Sequence, residues 1–205
     1  MATESNQQTG DKTNHIVFVY GTLRRGHKNQ YVLTERGNGQ AVYVGQARTV
    51  EKWPLVIGTK FNIPFVLYKP GYGHNVIGEI YKVDNKMLKH LDWFEDSPSW
   101  YKRRKLFVTM KMDQHSLMNT TSASSQDHTA KDIPANPSAG GDFSEMSVDE
   151  KIECWGYVLE DFKEDLEKQE YYADYSEAVK KFGYEKEMED EEEHYLEYVT
   201  SVTLK

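Results

Sequence analysis

Two stretches of this sequence combine residue types that can move a proton and hold an anion. The first covers residues 84–101, DNKMLKHLDWFEDSPSWY. Leu88, Leu91 and Glu95 are spaced three and then four apart, so on a helix they share one face, flanked by Met87 and Phe94. Glu95 is then a carboxylate on the stripe that should meet the core. Two readings stand for it: a helix-end residue reaching solvent, or a carboxyl aimed into a cavity. Burial raises a carboxylate's pKa and poises it for proton transfer near neutral pH. Ser97-Pro98 should end the helix soon after, which keeps the solvent reading open. Asp92 lies one turn from Leu88 and reads as a structural carboxylate.

The second stretch covers residues 15–26, HIVFVYGTLRRG. Its unbroken apolar run, residues 16–20, reads as a buried strand that stops at Gly21. A glycine there permits φ > 0 and a close approach to the main chain. The spacing of Gly21 and Gly26 superficially resembles a phosphate loop. His27 and Lys28 stand where that motif needs Lys and then Ser or Thr, so that reading fails. A tight turn remains, or a run of N–H groups forming a concavity for a carboxylate or a polarised carbonyl oxygen. The tetrapeptide alone favours the turn. Of the many tyrosines, only Tyr20 and Tyr101 adjoin these two stretches. The others, Tyr157, Tyr171, Tyr172 and Tyr175 among them, read mainly as core or rim aromatics.

The elements that must carry these residues follow from periodicity and turn signals. Residues 29–36 read as a short helix or turn, and residues 41–49 as a strand with a glycine bend. Apolar runs at 55–58, 65–68 and 76–83 are separated by Trp53-Pro54, Ile63-Pro64 and Lys69-Pro70-Gly71. Short strands at this spacing point to a small barrel or a closed, curved sheet. Asp84 reads as the N-cap of a helix over 85–95. Strands are expected at 107–112 and from Lys151 to Leu159, and a tyrosine-rich helix over 162–182. The last residues, YVTSVTLK, are β-prone and read as an edge strand or a packed tail.

Composition bounds the rest. The chain has 205 residues, enough for one domain with extensions. Its net charge of −8 and the lack of a basic stripe argue against nucleic-acid binding. The single cysteine, Cys154, permits no intrachain disulfide and reads as a small buried hydrophobe. The polar N-terminus has no signal-peptide core and no run reaches membrane-spanning length, so a cytoplasmic protein is expected. The seven histidines form no zinc pattern, and the acidic run at 185–193 reads as a solvated helix face or tail. Residues 114–148, rich in small and polar residues, cannot bury enough surface to offset their ordering entropy and read as a disordered insertion.

Tyr20-Gly21-Thr22-Leu23 at a strand end, the motif L-D-x-F-E at 91–95, and the pair Trp100-Tyr101 together resemble the γ-glutamylcyclotransferase-like (AIG2-like) superfamily. They are most similar to its γ-glutamylamine cyclotransferase branch. The resemblance covers roughly residues 16–112 and continues weakly at 154–159; it leaves out the insertion and the acidic tail. It implies an α+β fold, a small mixed β-barrel with flanking helices. One domain would span 15–205, after a disordered lead-in at 1–14 and with a helical, acidic extension at about 162–205. It implies release of 5-oxoproline and a free amine from a γ-glutamyl substrate, with no metal and no cofactor. Glu95 would be the general acid/base. Tyr20, Gly21, Thr22 and Leu23 would hold the γ-glutamyl moiety, with Tyr101 also at the substrate. Two alternatives stand beside this: a cyclotransferase acting on γ-glutamyl amino acids, or a non-catalytic module that binds a small carboxylate, or a protein partner through its acidic C-terminal segment.

Overall fold

The structure is a computed structural model that describes residues 15–110, 150–183, 200, 201 and 203–205. The expected lead-in at 1–14, the insertion expected at 114–148 and the acidic run at 185–193 lie outside the described residues.

Five strands close into a barrel in the order β1 (His15–Val19), β5 (Ile77–Val83), β2 (Ala41–Thr49), β6 (Lys102–Met110) and β7 (Ile152–Val158). All neighbours are antiparallel except β7 and β1, which run parallel at Val17 and Trp155 and close the ring. Closure removes every free edge from these strands. The glycine bend expected in β2 is a register shift between Tyr43 and Gly45. A separate hairpin, β3 (Leu55–Gly58) and β4 (Ile63–Val66), packs alongside.

Period-two alternation in the barrel strands feeds two cores. Phe18, Ala47, Ile80, Leu106 and Cys154, one from each barrel strand, meet in a single cluster that fills the barrel. The opposite faces of β1, β5 and β7, with Val17, Val19, Tyr81, Val83 and Tyr157, pack under Met87, Leu88 and Leu91 of α2 (Asn85–Phe94) and under the hairpin. Asp84 caps α2 as expected: its side chain accepts from the Met87 N–H at 2.7 Å and from the Gln40 N–H at 3.0 Å. Helix α1 (Tyr31–Thr34) is a single turn.

Three expected elements are corrected. The strand placed at 65–68 is β4, two residues earlier, and carries Pro64 within it. The strand placed from Phe107 begins at Lys102, because each charge of the run KRRK is paired. Lys102 meets Glu160 and Asp161, Arg103 meets Asp92, Arg104 meets Glu160, and Lys105 meets Glu153. The helix placed over 162–182 is two short helices, α3 (Glu164–Glu167) and α4 (Tyr175–Phe182). Between them the chain bonds to the sheets instead: the Tyr172 N–H donates to Leu55 O and the Ile77 N–H donates to Ala173 O, each at 2.8 Å. Those bonds compete with a continuous helix and win. At the C-terminus, Leu204 bridges antiparallel to Phe162 and Thr203 is fully buried, as a packed tail would be.

Candidate active site

β1 delivers Tyr20 and Gly21 to the end of the barrel, where the chain turns. The Arg24 N–H donates to Gly21 O at 3.1 Å and closes the turn; the Asn29 N–H donates to Thr22 O at 3.0 Å, and Asn29 Nδ2 to Thr22 Oγ1 at 2.9 Å. The later amides of the loop are also engaged. That of Arg25 donates to Glu79 Oε2 at 3.0 Å, that of Gly26 to Gln30 Oε1 at 2.8 Å, and that of His27 to Arg24 O at 3.1 Å. The amides of Gly21, Thr22 and Leu23 donate to no acceptor among the described residues. Three successive N–H groups of the loop are therefore left without an acceptor among the described residues, as either a turn or an anion-binding concavity would leave them.

Gly21 is required by space and not by φ. Only Gly26 in this loop takes a positive φ, at 77°. A Cβ on Gly21 would lie 2.8 Å from Cγ of Pro64. Pro64 is itself fixed from behind: the Tyr101 hydroxyl donates to its carbonyl at 3.0 Å, and the Tyr101 ring stacks on Phe65 with centroids 5.8 Å apart. Tyr101 thus stands behind Gly21 through Pro64, with its proton committed to a main-chain carbonyl.

Glu95 ends the stripe on α2 that sequence periodicity drew. Leu88 and Leu91 are buried and Glu95 is half-buried as the C-cap. What ends the helix is a Schellman motif and not Ser97-Pro98. The Ser97 N–H donates to Asp92 O at 2.8 Å and the Asp96 N–H to Trp93 O at 3.2 Å, with Asp96 at φ 46°. Aspartate tolerates that left-handed conformation better than most residues. The Tyr101 N–H reaches Glu95 O at 3.4 Å, so the same short turn presents both residues.

The two stretches meet electrostatically. Burial pushes the Tyr20 hydroxyl pKa upward, and the Glu95 carboxylate pushes it further. Tyr157 on β7 responds similarly: burial first, then Asp92, then Glu95 raise its pKa. The Tyr20 hydroxyl donates to Tyr157 O at 2.9 Å and accepts from the Val66 N–H at 3.3 Å. The Tyr157 hydroxyl donates to Asp92 Oδ1 at 2.9 Å, and Arg103 holds that carboxylate at 2.8 and 2.6 Å. Asp92 is thus the hydrogen-bonded structural carboxylate expected of it.

Residues 17–137 match the family described as gamma-glutamyl cyclotransferase, AIG2-like. This chain belongs to that family. It is 57% identical over 88 residues to gamma-glutamylaminecyclotransferase B of Danio rerio, covering 43% of this chain and 46% of that one. It is 48% identical over 98 residues to a putative gamma-glutamylcyclotransferase of Drosophila melanogaster, covering 48% of this chain and 62% of the other. The matched stretch spans about half the length of these curated relatives. The crystal structure of an AIG2-like protein from Mus musculus superposes with a TM-score of 0.65 at 32% identity, over 87% of this chain and all of that one.

Within this AIG2-like frame, several residues around the loop escape sequence reasoning. Glu79, 3% exposed, takes the Arg25 N–H, the Tyr81 hydroxyl at 2.9 Å and the Arg25 guanidinium at 3.5 Å. Its only trace in sequence is a carboxylate inside an apolar strand. Arg103 reads as part of a surface charge run, and its partner Asp92 lies on a helix earlier in the chain. Buried Arg24 and partly exposed Asp174 pair at 2.7 Å and are 150 positions apart. Among the described residues no three His, Cys, Asp or Glu side chains converge as a metal site. No helix among them is long and apolar enough to cross a membrane.

Proposed function

We propose that this chain is a γ-glutamylamine cyclotransferase. It would cyclise the γ-glutamyl group of a γ-glutamylamine, releasing 5-oxoproline and the free amine. The observation that carries the reading is the pairing of three unengaged amides, Gly21 to Leu23, with a carboxylate, Glu95, whose charge is felt at Tyr20 beside them. The names of relatives in the same family support the choice of reaction and of substrate class.

The chemistry is balanced within one substrate molecule. The α-amine attacks the γ-carbonyl carbon; a lactam C–N bond forms and the amide C–N bond to the leaving amine breaks. From ammonium to lactam N–H the α-nitrogen loses two protons, and from amide N–H to ammonium the departing nitrogen gains two, so no net proton and no water is consumed. Glu95 takes the first proton as base and returns it as acid. Intramolecular attack already has proximity, so the protein mainly holds a folded substrate conformation. The Gly21, Thr22 and Leu23 amides grip the γ-glutamyl group through its carboxylate or its polarised carbonyl oxygen. One such donor is typically worth ~3 kcal/mol of barrier. Tyr20 would lie at the substrate beside the loop, and Tyr101 keeps Pro64 against Gly21.

The test is 5-oxoproline release from γ-glutamyl-ε-lysine, assayed beside γ-glutamyl amino acids. Wild-type chain is expected to favour the γ-glutamylamine. Glu95→Gln, with an unchanged melting profile, is expected to lose roughly 10²–10⁴-fold in kcat. Wild-type turnover by Glu95→Gln removes the assigned role. Preference for γ-glutamyl amino acids selects the sister activity, and ligand binding without product selects a non-catalytic module.

A further inference from the structure

The loop that presents the three amides is tied to a part of the chain that the family match does not reach. Arg24 follows Leu23 directly, and its own N–H closes the turn onto Gly21 O. The plane of the peptides between them therefore depends on where Arg24 sits. Its side chain is only 7% exposed, and Nη1 donates to Asp174 Oδ1 at 2.7 Å. The same Asp174 oxygen accepts from the Ser176 N–H at 2.8 Å and caps α4. Burial alone would raise the Asp174 pKa; the Arg24 guanidinium and the Ser176 amide outweigh it and hold the carboxyl below its usual range.

Asp174 is in turn a fixed point. The residues before it are bonded to the barrel and the hairpin, through Ile77 N–H to Ala173 O and Tyr172 N–H to Leu55 O. One carboxylate oxygen thus joins the amide loop, the N-terminus of α4 and, through the main chain, β5 and β3. Residue 174 lies beyond the family-matched stretch of 17–137.

We infer that Arg24, acting through Asp174, is a positioning residue for the Gly21–Leu23 amides, and that α4 is by this route part of the substrate site. The inference rests on the proposed cyclotransferase reading for what the amides hold, but not for how they are held. A guanidinium buried against one carboxylate fixes direction as well as charge, because its donors project in a rigid plane. A shift of the loop by a fraction of a hydrogen-bond length would misalign donors that must meet a developing charge.

Three variants separate positioning from simple stability. Asp174→Asn keeps an acceptor for the Ser176 N–H, and so the helix cap, while removing the charge. Arg24→Met removes the guanidinium and keeps most of the apolar stem. The double variant Arg24→Met with Asp174→Asn leaves no uncompensated buried charge, so its melting temperature is expected to return toward wild type. In all three, kcat/KM for 5-oxoproline release from γ-glutamyl-ε-lysine is expected to fall roughly 10- to 100-fold. Recovery of activity along with stability in the double variant would overturn the proposal, since the pair would then be a tether only. A second readout does not depend on turnover. Amide hydrogen exchange at His27 and Asn29, whose N–H groups bond to Arg24 O and Thr22 O, is expected to quicken in the double variant while that of β5 stays unchanged. If the wild-type chain releases no 5-oxoproline, the functional reading fails by itself. The positional inference is then decided by the exchange data, and unchanged exchange at His27 and Asn29 refutes it.

Discussion

The hydroxyl of Tyr20 donates to the main-chain carbonyl of Tyr157 at 2.9 Å, and so locks the exit of β1 to β7 across 137 positions of sequence. The same oxygen accepts from the Val66 N–H, which brings the β3–β4 hairpin to the same point. Three elements converge on one phenol, and the Glu95 carboxylate acts on it from a fourth.

Tyr20→Phe therefore strands a buried carbonyl and a buried N–H. Unsatisfied buried groups of this kind cost about 1–3 kcal/mol. Urea denaturation should show a lower midpoint with an unchanged slope. An unmoved midpoint means that the phenol does not bridge these elements.

Gly21→Ala should be damaging out of proportion to one methyl group. The new Cβ would lie 2.8 Å from Cγ of Pro64, so the loop or the ring must shift. Overpacking at such a site costs about 1–3 kcal/mol, and the displaced amides should raise KM. Pro64→Ala in the same chain makes room, and the pair should recover KM relative to Gly21→Ala alone. Failure of that recovery would separate the glycine from Pro64.

Asp96 sets where α2 stops and so where Glu95 sits. Asp96→Gly accepts φ 46° without strain and should keep kcat near wild type. Asp96→Val must hold a β-branched residue in the left-handed region at a cost of roughly 1–2 kcal/mol. It should lose activity more than stability, read by steady-state kinetics beside thermal melts. Equal kinetics for the two variants would show that the helix end does not position the carboxylate.

Acid stability should reveal the pairing at the β6–β7 end. Hydrogen bonding from Arg104, aided by Lys102, holds the Glu160 carboxyl below the usual range. A depressed folded-state pKa contributes stability above the unfolded value, about 4.3 for Glu, and that contribution is lost as pH falls through the folded value. Wild type should exceed Glu160→Gln by about 0.2–1 kcal/mol above roughly pH 5, and the gap should close on acidification. Chemical denaturation at a series of pH values reads it directly. A gap that widens toward low pH contradicts the pairing.

Local signals in this chain were enough to mark a strand ending at Gly21, a capped helix beginning at Asp84, and an inward face bearing Glu95. Each depends on neighbours a few positions apart, and periodicity reports which face of an element is buried. It does not report what that face is buried against. That the Glu95 charge acts on Tyr20, next to the Gly21 loop, required the barrel to close, with β7 parallel to β1 and the hairpin laid over them. That Gly21 must be glycine followed from the position of Pro64 and not from its own backbone angle. The run Lys102–Lys105 hid a strand because its partners, Asp92, Glu153, Glu160 and Asp161, lie on other elements. Residues 162–182 hid two helices and a break because helical composition there yields to hydrogen bonds offered by Leu55 and Ile77. Sequence alone marked which residue types could carry chemistry and which way each element faces. Tertiary structure decided which of them meet, because hydrogen bonds and ion pairs between distant residues depend on the three-dimensional path of the chain and leave no period in the sequence.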